Sequence, residues 1–371
     1  MTSPTAPSSP RTVALLLAGG AGTRFWPASR SLRPKQLLPL AGDEPLLAST
    51  ARRILPLLGG WRDVLVATGA HLVDATHAVL PEIDAQQMLV EPVPRNTAPA
   101  IAWAAARVAR QDPDAVLRVL PSDHHIADEE EFRRTLRAAV ASAASGVVTT
   151  VGIRPTRAET GYGYIELAEG AAMTPGTAVR ARGFVEKPDL ARAQQFLAGG
   201  RHLWNAGMFF FRARDLLAAV RAHLPAVAEA LLRFDAAAAA GDEPRVVSAL
   251  FPGMPAVSID HGVMEHIAEL AVVPGDFGWS DVGGWQSAWE LAAHDTDGNS
   301  APPGTVLIDA RDNHVVDLRE GSTARVVALC GVDGLVVVQT EDALLVTTRA
   351  RAQEVRDVVD RLKNGGRSGL T

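Results

Sequence analysis

The segment Leu17-Ala18-Gly19-Gly20-Ala21-Gly22-Thr23-Arg24, continued by Pro34-Lys35-Gln36, carries the residue types that hold a polyphosphate. Glycines lacking a β-carbon let backbone N–H groups approach phosphate oxygens, and such a loop can open into a helix N-terminus. Arg24 and Lys35 would add the mobile positive charge that a triphosphate needs. No Gly-Lys-Ser/Thr follows, so this is not a P-loop, and the Gly-x-Gly-x-x-Gly spacing of dinucleotide turns is absent. A glycine-rich turn by itself is also compatible with a tight connection; Arg24 and Pro34-Lys35 make the stretch more specific. Of the 36 basic residues only Lys35, Lys187 and Lys363 are lysines. Where arginine so predominates, a lysine inside a motif points to a site for a compact ammonium that a guanidinium fork cannot replace. Lys363, near the chain end, carries no such reading.

Two carboxylates stand in segments of matching character. Asp123, in Pro121-Ser122-Asp123-His124-His125, follows an apolar run. A carboxylate at the end of a strand can hold Mg²⁺, which keeps several waters and prefers one or two carboxylates plus phosphates; it can equally cap a turn. Asp281 lies in the Gly/Trp loop Asp276–Trp285 and would complete a clamp with Asp123 if the fold brings them together. His124 and His125 have neither a cysteine nearby nor helical spacing, so a zinc site is not expected. Trp279 and Trp285 read as packing residues. Three further segments combine polar groups with glycine: Thr160–Ile165, Phe184–Pro188 and Trp204–Met208. Glu186, Asn205 and the backbone at Gly163 suit sugar hydroxyls, and Lys187 suits a sugar phosphate.

Short apolar runs alternating with amphipathic stretches must position these residues. Strands are expected at Thr12–Leu17, Asp63–Thr68, Gln87–Glu91, Ala115–Leu120 and Val147–Ile153. Helices are expected at Leu46–Ile54, Leu72–Leu80, Thr97–Gln111 and Glu129–Ser145. Such alternation implies a parallel sheet covered on both faces, with ligands beyond the carboxyl ends of its strands. The candidate segments after Leu17, Glu91 and Leu120 fall there. Past a linker at Asp297–Gly304, short runs up to Thr347 suggest a small β module closed by a helix at Arg349–Lys363. The Ser/Thr/Pro-rich opening reads as a disordered lead-in. A net charge of −6 argues against nucleic acid and membrane surfaces as partners. The lone Cys330 excludes an intramolecular disulfide and fits a cytoplasmic protein. The first apolar run is too short to cross a bilayer.

Together these segments resemble the mannose-1-phosphate guanylyltransferases. The matching stretches are Leu16–Gly20, Glu91–Ile101, Pro121–His124, Thr160–Ile165, Phe184–Pro188, Trp204–Gly207 and Phe277–Gly283. The resemblance implies a Rossmann-like α/β nucleotidyltransferase domain with a mixed, mostly parallel sheet at 12–296. It adds a C-terminal β module like a short left-handed β-helix at 305–365, after a lead-in at 1–11. It implies in-line transfer of GMP from GTP to mannose 1-phosphate, giving GDP-mannose and pyrophosphate. Arg24 and Lys35 would bind the triphosphate, and Asp123 and Asp281 would hold Mg²⁺. Leu17, Ala18, Gly19, Gly20, Gly22, Thr23 and Ser122 would contact nucleotide, with Asn96 and Thr97 near the guanine. Gly163, Glu186, Lys187 and Asn205 would contact the sugar phosphate. Relatives often continue into an isomerase domain, which a chain ending at Thr371 is expected to lack. The β module is the surface on which a homodimer would form. Where relatives read Asp-Tyr-(Ala/Gly)-Val-Met-Glu-Lys, this chain has Asp260-His261-Gly262-Val263-Met264-Glu265-His266, which puts one substrate contact in question. The rivals are another sugar or nucleotide on the same fold, or a non-catalytic subunit that senses GDP-mannose.

Overall fold

The computed structural model describes residues 10–20, 22–319 and 326–371; residues 1–9 of the expected lead-in lie outside them. The strands of the larger part are β1 (Thr12–Leu17), β2 (Val64–Gly69), β3 (Met88–Glu91), β4 (Val116–Pro121), β5 (His125–Ile126), β6 (Val148–Ile153), β7 (Tyr164–Leu167), β8 (Val179–Val185), β9 (His202–Arg212), β10 (Leu270–Gly275) and β11 (Trp279–Ser280). Its principal helices are α1 (Leu46–Ile54), α2 (Val73–Val79), α3 (Thr97–Ala109), α4 (Glu129–Ala144), α5 (Leu190–Gly199), α6 (Ala213–His223), α7 (Pro225–Ala239), α8 (Glu243–Leu250), α9 (Ile259–Gly262) and α10 (Trp285–Leu291).

Nine strands form one sheet in the order β3-β2-β1-β4-β9-β6-β10-β8-β7. Strand β1 shows why it is covered twice: Val13 and Leu15 join the core on one face, Ala14 and Leu16 the core on the other. Period-two alternation with apolar residues at every position leaves no solvent side. Helix α3 is buried nearly all round, and six of its nine residues from Ala98 through Ala106 are alanine, which lets it pack closely. The expected parallel arrangement holds for β3-β2-β1-β4 and for β6 beside β10. Strand β9 runs antiparallel to β4, β6 and β7, and β8 antiparallel to β7 and β10. Antiparallel neighbours can be joined by short connections where parallel ones need a crossover. The chain uses that freedom in its second half, so the sheet is mixed.

Beyond the linker, β12 (Val306–Ile308), β13 (His314–Asp317), β14 (Ala328–Cys330), β15 (Leu335–Gln339) and β16 (Leu344–Thr348) precede helix α11 (Val355–Asn364). Parallel pairing joins residues 22 positions apart, Val306 with Ala328 and His314 with Val336, which is the geometry of stacked coils. Inside the coil the buried Asn299 and Asn313 form a ladder. The Asn313 amide donates to Asn299 Oδ1 at 2.9 Å, and the Leu335 N–H donates to Asn313 Oδ1 at 2.8 Å. Buried amides are tolerable when they are satisfied in this way.

The coil and α11 share a core with residues flanking the candidate site: Phe25 and Trp26 after Arg24, Val282 after Asp281, and Trp285. Trp285 is 1% exposed, and its indole donates to the Trp26 carbonyl at 3.0 Å. Truncation there removes packing from both parts at once. Trp285→Ala should destabilise the protein by about 3–5 kcal/mol, read as a loss of midpoint in denaturant unfolding. A change within error would show that this contact holds nothing together.

Candidate active site

The carboxyl ends of β1, β3 and β4 share one edge of the sheet, where the glycine loop, the Pro92–Asn96 turn and Ser122–His124 emerge. The loop is pinned at its base. Leu17 O accepts from the Ser122 hydroxyl at 2.7 Å, and Ala18 O accepts from the Gln36 amide at 2.6 Å. Ser122 is thus spent inward, joining β4 to β1. Gly19 and Gly20 are exposed, and among the described residues their N–H groups have no acceptor. Gly22 has φ 59°, and a β-carbon on it would lie 2.7 Å from Lys35 N and Cβ, so only glycine lets the loop close on Lys35. Thr23 and Arg24 open the short turn after it, with the Arg24 side chain exposed and free of any carboxylate among the described residues.

Lys35 is fixed rather than mobile. It is 7% exposed, and its ammonium donates to Asp123 Oδ2 at 2.9 Å and to the Asp281 carbonyl at 2.5 Å. The fold therefore brings Asp123 and Asp281 together around one cation. The pairing of β5 with β11 explains the meeting: Ser280 lies opposite His125 and Trp279 opposite Ile126. Burial acts to raise the Asp123 carboxyl, but Lys35 and then His124 outweigh it and hold the group below its ordinary value. The Asp281 carboxylate accepts from the Tyr162 hydroxyl at 2.7 Å. Burial first, then Asp281, keep that phenol far above its usual range and therefore a donor.

Desolvation lowers the His124 imidazole from its ordinary value, and its Nδ1 accepts from the Trp279 indole at 3.1 Å. Its proton then sits on Nε2, 3.8 Å from Asp123 Oδ1, which is a supporting role rather than a ligand's. Among the described residues no group of three or more His, Cys, Asp and Glu could cage a metal. Asp123 and Asp281 belong to segments that meet at Lys35, and one or two carboxylates suit Mg²⁺, which takes its remaining ligands from waters and phosphates.

Gly163, Glu186 and Asn205 form a second cluster. The Asn205 N–H donates to Gly163 O at 2.8 Å, and a β-carbon on Gly163 would stand 2.6 Å from Glu186 Oε2. Lys187 pairs with Glu186 at 2.6 Å and remains largely exposed. Asn96 and Thr97 stand at the start of α3. The Asn96 side chain accepts from Thr97 N, and the Thr97 hydroxyl accepts from Ile259 N. Asn96, Lys187 and Val282 all take positive φ, at 62°, 45° and 46°. Such conformations cost about 1–3 kcal/mol each and cluster at sites that need them.

Three residues left unassigned from sequence stand in the site. Tyr162 positions Asp281. Asp260 accepts from the Asn205 amide at 3.1 Å and is raised to about 6 by burial and then by Glu186. Glu91 ends β3 with its Oε1 3.6 Å from where a β-carbon on Gly19 would be, and burial alone raises it to about 7. No partner of its carboxylate is found among the described residues. The available signals were the Glu-Pro-Val-Pro-Arg-Asn context of Glu91 and the departure segment opening at Asp260. In that segment His261 Nδ1 lies 3.1 Å from the Ser258 hydroxyl, and His266 stacks on His223 at 5.0 Å.

Residues 13–298 match the nucleotidyl transferase family, and residues 305–362 match the mannose-phosphate isomerase/GMP-like β-helix domain. The chain is 41% identical over 359 residues to the xanthan biosynthesis protein XanB of Xanthomonas campestris, covering 96% of this chain and 74% of that one. It is 39% identical over 360 residues to the mannose-1-phosphate guanylyltransferase of Escherichia coli, covering 95% and 74%. A crystal structure named as a mannose-1-phosphate geranyltransferase from Thermus thermophilus superposes with a TM-score of 0.82 at 37% identity, over 95% of this chain and 99% of that one. The mixed sheet, the stacked coils and these likenesses agree, and the chain belongs to the nucleotidyl transferase family, in its mannose-1-phosphate guanylyltransferase branch.

Proposed function

We propose that this enzyme joins GTP to α-D-mannose 1-phosphate, forming GDP-mannose and releasing pyrophosphate. The observation that carries this reading is the convergence of Asp123 and Asp281 on the Lys35 ammonium, beside a loop whose Gly19 and Gly20 N–H groups have no acceptor among the described residues. Mg²⁺ held by Asp123 and Asp281 would neutralise charge on the α-phosphate region of the nucleotide. Lys35 ties the Asp123 carboxylate to the main chain at Asp281. The N–H groups of Gly19 and Gly20, in the loop framed by Leu17, Ala18, Gly22 and Thr23, take phosphate oxygens. Arg24, exposed and unpaired among the described residues, is suited to the pyrophosphate that leaves.

The mannose 1-phosphate oxygen attacks the α-phosphorus in line, and no enzyme nucleophile takes part. Lys187 neutralises the sugar phosphate, while Glu186, Asn205, Asp260 and the Gly163 backbone take hydroxyls. Rate comes from alignment and charge stabilisation. Glu91 gives the base preference: an unpaired carboxylate suits the adjacent N1–H and N2–H donors of guanine, a pair that uracil and adenine do not present. Asn96 and Thr97 fix the turn that carries it.

Asp123→Ala, Asp281→Ala and Lys35→Ala should each lose about 10²–10³ in kcat in a pyrophosphate-release assay with GTP, mannose 1-phosphate and Mg²⁺. Near-normal turnover of Asp123→Ala would refute the metal assignment, and a preference for UTP in the same assay would end the guanylyl reading. Glu91→Gln should shrink the preference for GTP over ITP, which lacks the 2-amino group, by about tenfold; an unaltered ratio removes Glu91 from base selection.

The same residue predicts a pH effect on the ligand-free protein. A carboxyl whose folded pKa lies above its unfolded value stabilises the fold below the unfolded value, and that contribution is lost as pH rises through about 7. Glu91→Gln should therefore raise Tm at about pH 8 and leave it nearly unchanged at about pH 4. Equal shifts at both would show that the carboxylate is not strained by burial.

A further inference from the structure

A cavity of about 770 Å³ has Tyr162, Ser280 and Asp281 in its wall, so it adjoins the active site at Asp281. Among the described residues, neither that loop nor Glu186 and Lys187 lines it. Asn205 turns to Asp260, whereas Trp204, one residue earlier and so directed to the opposite face of the sheet, forms part of the cavity wall. The volume lies within the range of small-molecule sites.

The lining is chemically mixed. Ile153, Met173, Trp204 and Trp279 supply apolar and aromatic surface. Arg154 and Arg157 stand at the rim. Arg154 has no carboxylate partner among the described residues, and its recorded polar contact is Met173 Sδ at 3.9 Å. Arg157 pairs with Glu159 and lies over the Trp204 ring, 5.3 Å from its centre. The Trp204 indole nitrogen is buried without an acceptor, and a buried donor left unsatisfied has an unmet demand for one. Asp276 and Glu290 also line the cavity, where they could accept from hydroxyl groups.

We propose that this cavity is a second ligand site, for a phosphorylated metabolite carrying a hydroxylated ring, and that its occupancy is transmitted to Asp281 through Tyr162. The two arginines take the phosphate, the tryptophans face the ring, and the Trp204 N–H gains an acceptor. Asp281 belongs to both the cavity and the active site, and the groups around it line the cavity as well. Tyr162 packs edge-on against Trp204 and Trp279, with ring centres 5.2 and 5.5 Å apart, and donates to Asp281. Trp279 in turn donates to His124, the neighbour of Asp123. A ligand that shifts either tryptophan changes the setting of both carboxylates. The site's existence is independent of the reaction proposed above; only the readout at Asp281 rests on it.

The test is a calorimetric titration of the full chain with its active site filled by GDP-mannose and Mg²⁺, using glucose 6-phosphate and AMP as probes. One further equivalent of either probe should bind, and which one binds tells a sugar phosphate from a nucleotide source. Charge reversal at the rim, Arg154→Glu with Arg157→Glu, should weaken that binding by at least about tenfold while leaving kcat and KM without probe unchanged. Saturating probe should shift the Mg²⁺ concentration for half-maximal activity in the wild type. Tyr162→Phe should still bind the probe but show no shift. The proposal is overturned if neither probe binds, if charge reversal leaves binding intact, or if Mg²⁺ dependence ignores the bound probe. Absence of heat with GDP-mannose itself would instead count against the proposed reaction, because probe uptake is read separately.

Discussion

The site is organised by one buried ammonium. Lys35 reaches the Asp123 carboxylate at the end of β4 and the Asp281 carbonyl in the loop after β11, groups 88 and 246 residues away in the chain. A cation this far from water is costly unless its donors are used, so the three segments that meet on it fix one another. Gly22 exists in its left-handed conformation to let the loop pass Lys35, which ties the glycine-rich turn to the same point. Replacing the ammonium by a guanidinium would change both reach and shape, which accounts for a lysine in a chain that otherwise uses arginine almost throughout.

From that point the architecture extends in two directions. Towards the C-terminal coils, Phe25, Trp26, Val282 and Trp285 make the core of the β module continuous with the residues that flank Arg24 and Asp281. The module is therefore a buttress for the site as well as an appendage. Towards the sheet, Tyr162 and Trp279 brace the two aspartates from behind. The strained backbone at Val282 is held by this packing, in which its side chain is fully buried. The arrangement suits a reaction in which the enzyme aligns phosphates and contributes no covalent chemistry.

The division of the site into functions follows from its electrostatics. The carboxyl held low, Asp123, faces a cation and is suited to remain charged. The carboxyls raised by burial, Glu91 and Asp260, lie where hydrogen-bond donors of a base or a sugar would come. An unpaired carboxylate is expensive in the empty protein, and a ligand that satisfies it recovers that cost on binding, which converts desolvation into selectivity.

The strands from β1 to β4 and the helices up to α4 were legible in sequence to within two residues, because continuous apolar runs and amphipathic stretches are local patterns. The glycine loop, Arg24, Lys35 and the segments of Gly163, Glu186 and Asn205 stood out in sequence as residue types, and the structure places the last three together. Sequence could not decide that Asp123 and Asp281 meet, since that depends on a two-residue ribbon, β5 with β11, too short to leave a pattern. It could not show that Lys35 is locked between them, that Ser122 turns inward, or that β9 reverses the sheet. Nor could it find the isolation of Glu91 or the cavity behind Tyr162, because a missing partner and an empty volume belong to the packing of distant segments and to no single stretch of chain.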